Sequence, residues 1–291
     1  MLIKPGIIMG NVITTAAGFV LASRGELDFA LFFAVLAGLA CIIGSACVFN
    51  NCIDRTSDQK MERTRHRPLA RGLISLSRAL SFALVLALLG VTILALYTNF
   101  LTVMIATFGF FMYVILYSIW KYLSEYGTMI GSISGAVPPV VGYCAVTNHF
   151  DGGAWLLFLI MVLWQMPHFF AIALYRLDDY KAAAIPVLPL KRGNFVTKVH
   201  MLVYIVAFTG TAVLLTLFGF TGYAYLIVAL LMGVAWLILS IKGFKSTNDT
   251  LWARQMFRLS LVVVTALSLM ISLDATKEDP EIKLTLMENG R

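Results

Sequence analysis

The sequence predicts an all-α, polytopic membrane protein: about nine transmembrane helices bundled around a central cavity. Two observations carry that prediction. Hydrophobic residues fill 60% of the 291 positions, charged residues only 13%, and the mean hydropathy of +0.87 lies outside the range of soluble globular chains. Apolar runs long enough to cross roughly 30 Å of hydrocarbon as helices recur nine times, and helices satisfy their own backbone polar groups in lipid. They lie near 7–23, 31–50, 78–98, 100–119, 128–146, 154–174, 199–218, 222–241 and 259–273.

The first run follows Lys4-Pro5 and is expected to be a retained helix, because no small-residue cleavage site leads into a soluble domain. The last is short, and Met256 and Phe257 extend it. Cations orient the bundle, since Lys and Arg accumulate on the cytoplasmic side. With the N-terminus cytoplasmic and the C-terminus outside, 18 of the 22 Lys and Arg fall inside, and Arg24, Lys277, Lys283 and Arg291 fall outside. The net charge of +7 then reports membrane topology in a lipid bilayer, and no nucleic-acid partner is expected. Cys41, Cys47, Cys52 and Cys144 lack CxxC spacing and are expected to behave as small hydrophobes.

Outer connections are short, as in "RGELD", "TN", "NHFDGG" and "GFTG", whereas two inner ones, 51–77 and 175–198, are long and charged. They follow the second and sixth runs. That four-helix offset suggests two related halves, about 1–120 and 121–241, followed by a last helix at about 256–273, within one domain spanning 1–291. The two charged loops would then meet over one cytoplasm-facing cavity, as internal repeats frame sites in transporters.

Asn51, Asp54 and Asp58 stand at i, i+3 and i+7, which places them within a 60° arc of a helix at 100° per residue. Positive-inside topology calls for cations, not acids. Two carboxylates and an amide oxygen are hard ligands suited to Mg²⁺, which binds one or two carboxylates and completes its shell with water and phosphate. Lys60, Arg63, Arg65, Arg67 and Arg71 follow and would face phosphate oxygens. The alternative for these cations is an ordinary solvated inner loop.

These residues resemble the intramembrane aromatic prenyltransferases of the UbiA type, whose hallmark NxxDxxxD stands here as Asn51-Cys-Ile-Asp54-Arg-Thr-Ser-Asp58. The chain is more narrowly similar to the haem-farnesylating (haem O-forming) branch of that superfamily. The matching pieces are "KPGI", "NNCIDRTSDQKMERTRHRPLARG", "GSISGAVPPVVGY", "LWQMPHFFAIALYRLDDY" and "IPVLP", in that order. The resemblance implies transfer of the farnesyl group of farnesyl diphosphate to the 2-vinyl group of haem B, with addition of water. It implies Mg²⁺ at Asn51, Asp54 and Asp58, in one or two ions, and diphosphate contacts from Lys60, Arg63 and Arg67, with Arg65 and His66 the weakest members of the clamp. It further implies a multi-pass protein of the bacterial inner membrane with a cytoplasm-facing site. A haem A synthase or a terminal oxidase would be the recipient of the product.

The second loop departs from the wider superfamily, because the residue four beyond Asp179 is Ala183, so a second DxxxD pair is absent. "YRLDDYK" instead matches a YRxxDY form and offers Arg176, Asp179 and Lys181, with Asp178 an extra acid. Asp54, Asp58, Asp179 and Arg67 are the catalytic candidates. His168 lies in an apolar run, where an imidazole is costly without a partner. It is expected in a haem pocket with Gln165, and with Trp164 nearby; the alternative is a hydrogen bond across a helix interface. His66, His149 and His200 carry no such expectation. Gly127, Gly131 and Gly135 point to close helix packing, Pro138 and Pro139 to a kink, and Tyr113, Tyr117 and Tyr143 to packing or to shielding of an allylic cation. Two other functions fit parts of the pattern. They are prenylation of a quinone precursor, against which the missing DxxxD argues, and secondary transport of an anionic solute.

Overall fold

The computed structural model describes residues 2–277 and is helical almost throughout. Lys283 and Arg291, assigned above to the outer side, lie outside the described residues. Among those residues nine helices are long and apolar enough to span a membrane: α1 Pro5–Ser23, α2 Phe29–Asp58, α3 Leu76–Tyr97, α4 Phe100–Leu123, α5 Gly127–Thr147, α6 Gly152–Tyr175, α7 Leu188–Leu217, α8 Tyr223–Lys245 and α9 Asp249–Leu273.

Polar residues in the connections set where these helices begin. The side chains of Asp28, Ser75, Asn99, Asp151 and Asn248 accept from the first free backbone N–H groups of α2, α3, α4, α6 and α9. Pro5 and Pro189 occupy first-turn positions in α1 and α7, where a missing N–H costs nothing.

Three helices overrun their apolar stretches. Helix α2 continues eight residues past 50 to Asp58, α7 starts at Leu188 rather than 199, and α9 starts at Asp249 rather than 259. Hydropathy reports the length of chain that lipid can cover, and a helix whose extra turns are polar extends beyond that length. The extension of α7 includes a break at Gly193, whose φ of 81° favours glycine. Most of the expected loop 175–198 is therefore helical, and the true connection is 176–187. The expected kink of α5 falls at Ala136, directly before Pro138 and Pro139 in the first turn of its second segment.

Cross-helix bonds show which ends lie together. Lys121 pairs with Asp54, Glu125 with Arg192, and Lys198 with Asp249, gathering the ends of α2, α4, α7 and α9 on one side. On the opposite side Asn99 donates to the Cys144 carbonyl and Tyr225 N–H donates to Asp274. Between these polar ends the core is made by tight small-residue contacts. A Cβ on Gly142 would sit 2.1 Å from the Thr15 carbonyl oxygen, and one on Gly18 would sit 2.0 Å from that of Pro139, so α1 and α5 touch backbone to backbone. A cavity of about 30 Å³, lined by Thr14, Pro139, Trp164, Phe208 and Ser268 among others, lies inside the bundle.

Replacing Gly142 by Leu should lower stability by about 1–3 kcal/mol through overpacking. Gly210→Ala, at a helical site with nothing within 4 Å, should be neutral or mildly stabilising. Thermal unfolding in detergent checks the contrast.

Candidate active site

The last two turns of α2 carry Asn50, Asn51, Asp54 and Asp58, all buried. Helical spacing brings Asn51, Asp54 and Asp58 to one face, as the motif predicted. A buried carboxylate needs a charged partner, and each finds a different one. Arg67 Nη1 donates to both oxygens of Asp58, at 2.9 and 2.7 Å, and to Asn51 Oδ1 at 3.1 Å. It can do so because the connection after α2 folds back over the helix end. Thr64 donates to the Asp58 carbonyl, Gln59 donates to that of Ala70, and Met61 and Leu69 are buried beneath.

Asp54 is met from α4. Lys121 Nζ lies 2.5 Å from both of its oxygens, and the Tyr122 hydroxyl donates to one at 2.8 Å. The lysine is confined by the faces of Tyr117 and Tyr122, at 5.1 and 5.2 Å. Two expected packing glycines have a definite task here. A Cβ on Gly127 would lie 2.6 Å from the Lys121 Cα, and one on Gly131 would lie 3.0 Å from the Tyr117 ring, so α5 presses the end of α4 toward α2. Between Met112 and Tyr117 helix α4 makes a π turn, in which Tyr113 and Tyr117 stack at 5.3 Å.

The N-terminal segment closes a third side. Asn51 donates to the Leu2 carbonyl, and Lys4 Nζ donates to Asn50 Oδ1, both at 2.7 Å. Burial lowers the Lys4 pKa to about 8, and the nearby cations Arg67 and Lys121 push the same way against Cys47 and Asp54. The fourth side is the 176–187 connection, with a short helix at Leu177–Ala182. Asp179 Oδ1 accepts the Glu62 N–H at 2.9 Å and its Oδ2 lies 4.0 Å from Arg176 Nη1, so the two long inner connections are joined. Burial raises the Tyr180 pKa, and the cations Arg63 and Arg176 oppose that shift.

Arg67, Asp54, Asp58, Asn51, Asp179 and Arg176 are thus brought to one region. Lys60, Arg63, Lys181 and Asp178 are exposed at its rim, with Arg65 and His66. His168 and Gln165 belong elsewhere. His168 Nδ1 is 2.7 Å from Ser260 Oγ, its ring stacks on Trp164 at 4.7 Å, and Phe257 lies 5.0 Å away. Gln165 donates to the Ser132 and Met161 carbonyls. Both form hydrogen bonds across helix interfaces, the alternative weighed for His168 from sequence. Lys4 and Asn50 stand inside the matching pieces "KPGI" and "NNCIDRTSDQKMERTRHRPLARG" but were assigned no role there, and Lys121 and Tyr122 stand in none of the pieces. Lys121 and Lys4 were absorbed by the positive-inside count, and only the adjacency of Lys121 to the small-residue helix "GTMIGSISG" offered a hint.

Around Asp54 and Asp58 three cations, Lys4, Arg67 and Lys121, face two carboxylates, which leaves one positive charge for an incoming anion. Residues 11–262 match the model of the UbiA prenyltransferase family. The chain belongs to that family. It is 56% identical over 274 residues to a protein of Protochlamydia amoebophila named protoheme IX farnesyltransferase, covering 94% of this chain and 97% of the relative. Among solved structures it resembles one described for a digeranylgeranylglyceryl phosphate synthase, with a TM-score of 0.74, 19% identity and 92% of each chain covered. It also resembles a UbiA homolog from Archaeoglobus fulgidus bound to DMAPP and Mg²⁺, with a TM-score of 0.69, 13% identity, and 94% of this chain and 98% of that one covered. These likenesses establish the nine-helix UbiA fold.

Lys121→Met should destabilise the substrate-free protein by about 3–5 kcal/mol, because it strands the Asp54 carboxylate among buried groups. The double variant Lys121→Met/Asp54→Asn should be less destabilised than the two single effects summed. Unfolding midpoints of the four proteins measure the coupling.

Proposed function

We propose that this UbiA-family chain transfers the farnesyl group of farnesyl diphosphate to the 2-vinyl group of haem B, with addition of water, giving haem O and diphosphate. The observation that supports this most directly is the cation-rich carboxylate pair at the end of α2, in a chain that aligns nearly end to end with a protein named protoheme IX farnesyltransferase. The C1–O bond of the allylic diphosphate breaks, and its electron pair leaves with diphosphate. The terminal vinyl carbon bonds to C1, water oxygen adds to the carbon next to the ring, and a proton is released.

Ionising that bond requires the leaving group's charge to be neutralised. Among the described residues no three or more His, Cys, Asp or Glu side chains converge. The donor set is instead two carboxylates and an amide, which fits Mg²⁺, an ion that keeps water and substrate phosphate in its shell. Asn51, Asp54 and Asp58 would hold it, and when bound it supplies positive charge to the departing diphosphate. Arg67 and Lys121, which pair the carboxylates here, are the donors in position to shift onto phosphate oxygens. Arg176 supplements them, with Lys60, Arg63 and Lys181 at the rim. Asp179, by holding the Glu62 N–H, keeps the two connections together over the diphosphate.

Haem B would lie deeper in the bundle, and His168 and Gln165 are proposed to face it. Trp164 and Phe257 give that region flat apolar surfaces suited to a porphyrin. On the charge bias of its loops, the site opens to the cytoplasm from a bacterial inner membrane. A membrane-bound haem A synthase or terminal oxidase would receive the product.

Haems extracted from membranes with and without the expressed chain, supplied with farnesyl diphosphate and Mg²⁺, should show haem O by mass only with it. Unchanged haem B under saturating diphosphate would overturn the assignment. Asp54→Ala and Asp58→Ala should each lose at least about 100-fold in turnover; full transfer by either would remove the metal assignment. An Ala variant of His168 with unchanged haem spectrum and turnover would remove the haem-pocket role.

A further inference from the structure

The segment before α1 has no part in spanning the membrane, yet residues 2–4 are fixed onto the catalytic helix. The Leu2 carbonyl accepts one hydrogen of the Asn51 amide, and the Lys4 ammonium donates to the Asn50 amide oxygen. Ile3 reaches α2 as well, with its Cγ2 3.8 Å from where a Cβ on Gly44 would stand. Two consequences follow for the amides. The bond to Leu2 fixes the Asn51 side chain with its Oδ1 turned to Arg67. Asn50, held by Lys4, turns its amide nitrogen to Ser118 at 3.4 Å.

The Lys4 residue is half-buried, and its ammonium donates to an amide oxygen, that of Asn50, rather than to a carboxylate. Arg67 and Lys121 are different, because each is already neutralised by a carboxylate. The surplus positive charge of the cluster therefore resides on Lys4. A cation among other cations, without a carboxylate of its own, is a group waiting for an anion.

We propose that Lys4, docked by the Leu2–Asn51 hydrogen bond, is a substrate-binding residue that contacts the diphosphate of the prenyl donor. This rests on the function proposed above. It gives the "KPGI" segment a task in addition to starting α1. The lysine supplies the charge, Pro5 sets the first turn of the helix directly behind it, and the main chain at Leu2 secures the segment to the metal-ligand candidate Asn51. Lys4 would exchange its hydrogen bond to Asn50 for one to a phosphate oxygen, and no protein carboxylate would be left unpaired by that exchange.

The test compares steady-state kinetics of the full-length wild-type protein with Lys4→Gln and Lys4→Arg in the same membranes, varying farnesyl diphosphate and haem B separately. Lys4→Gln should raise KM for farnesyl diphosphate about tenfold, as expected for loss of one charge-assisted hydrogen bond, and leave KM for haem B unchanged. Lys4→Arg should restore the diphosphate KM to within about threefold, since it keeps the charge. An unchanged diphosphate KM in Lys4→Gln, or a rise confined to haem B, would overturn the proposal. If Lys4→Gln does not accumulate in membranes, binding of inorganic diphosphate with Mg²⁺ to Lys4→Arg and to Lys4→Met decides it, with loss expected only in the latter. Absence of haem O from the wild-type protein would instead defeat the reaction itself, which keeps the two failures distinct.

Discussion

Two carboxylates buried one turn apart at the end of a helix must each find a cation, and much of the structure around the site is organised by that need. Leaving either charge unpaired at this depth would cost several kcal/mol, a large share of the stability of most folded chains. Asp58 draws Arg67, and the connection after α2 is folded into successive turns that deliver it. Asp54 draws Lys121, and the end of α4 must come to it. Gly127 and Gly131 allow that approach, and the kink of α5 at Ala136 leaves its second segment free to pack against α1. The helices are held at the far end by hydrogen bonds such as those from Asn99 to the Cys144 carbonyl and from the Tyr225 N–H to Asp274, and at this end by ion pairs.

The same pairing suits a site that must accept highly charged ligands. Under the proposed function, Asp54 and Asp58 would hold a metal ion, leaving Arg67 and Lys121 free for the incoming diphosphate. Binding would then be an exchange of partners, with every charge kept in contact with an opposite one. Desolvation, which dominates the cost of bringing ions into a low-dielectric region, has largely been met in the folding of the protein. Diphosphate would then meet groups that are already in place.

The architecture was legible in the sequence because lipid imposes a single rule: twenty or so apolar residues make a helix. All nine spans follow from it. The rule is silent about where a helix stops once it leaves lipid, so the added turns of α2, α7 and α9 were not visible in hydropathy. The i, i+3, i+7 placement of Asn51, Asp54 and Asp58 did reveal that α2 continues, since those residues converge only on a helix. Arg67 was selected by the family resemblance as a diphosphate contact, and its pairing with Asp58 and Asn51 emerged only in the structure. Lys121 and Lys4 were not selected. Their partners lie 67 and 46 residues away, and a cation at the inner end of a span has a sufficient explanation in topology alone. His168 was correctly read as needing a partner, but Ser260, 92 residues distant, could be found only in three dimensions.

The π turn of α4 has a consequence that concerns phase. A π turn is an α-helix carrying one residue more than the regular repeat requires, and in a straight helix each residue turns the chain by 100°. Delete one residue between Met112 and Tyr117, and everything after it rotates by that angle relative to the membrane-spanning part. Ser118, Lys121 and Tyr122 would swing off the α2 side, while the apolar surface that α4 offers to lipid would hardly change. The extra residue therefore works as a register shift, setting the last turns of α4 for catalysis independently of the turns that face the bilayer.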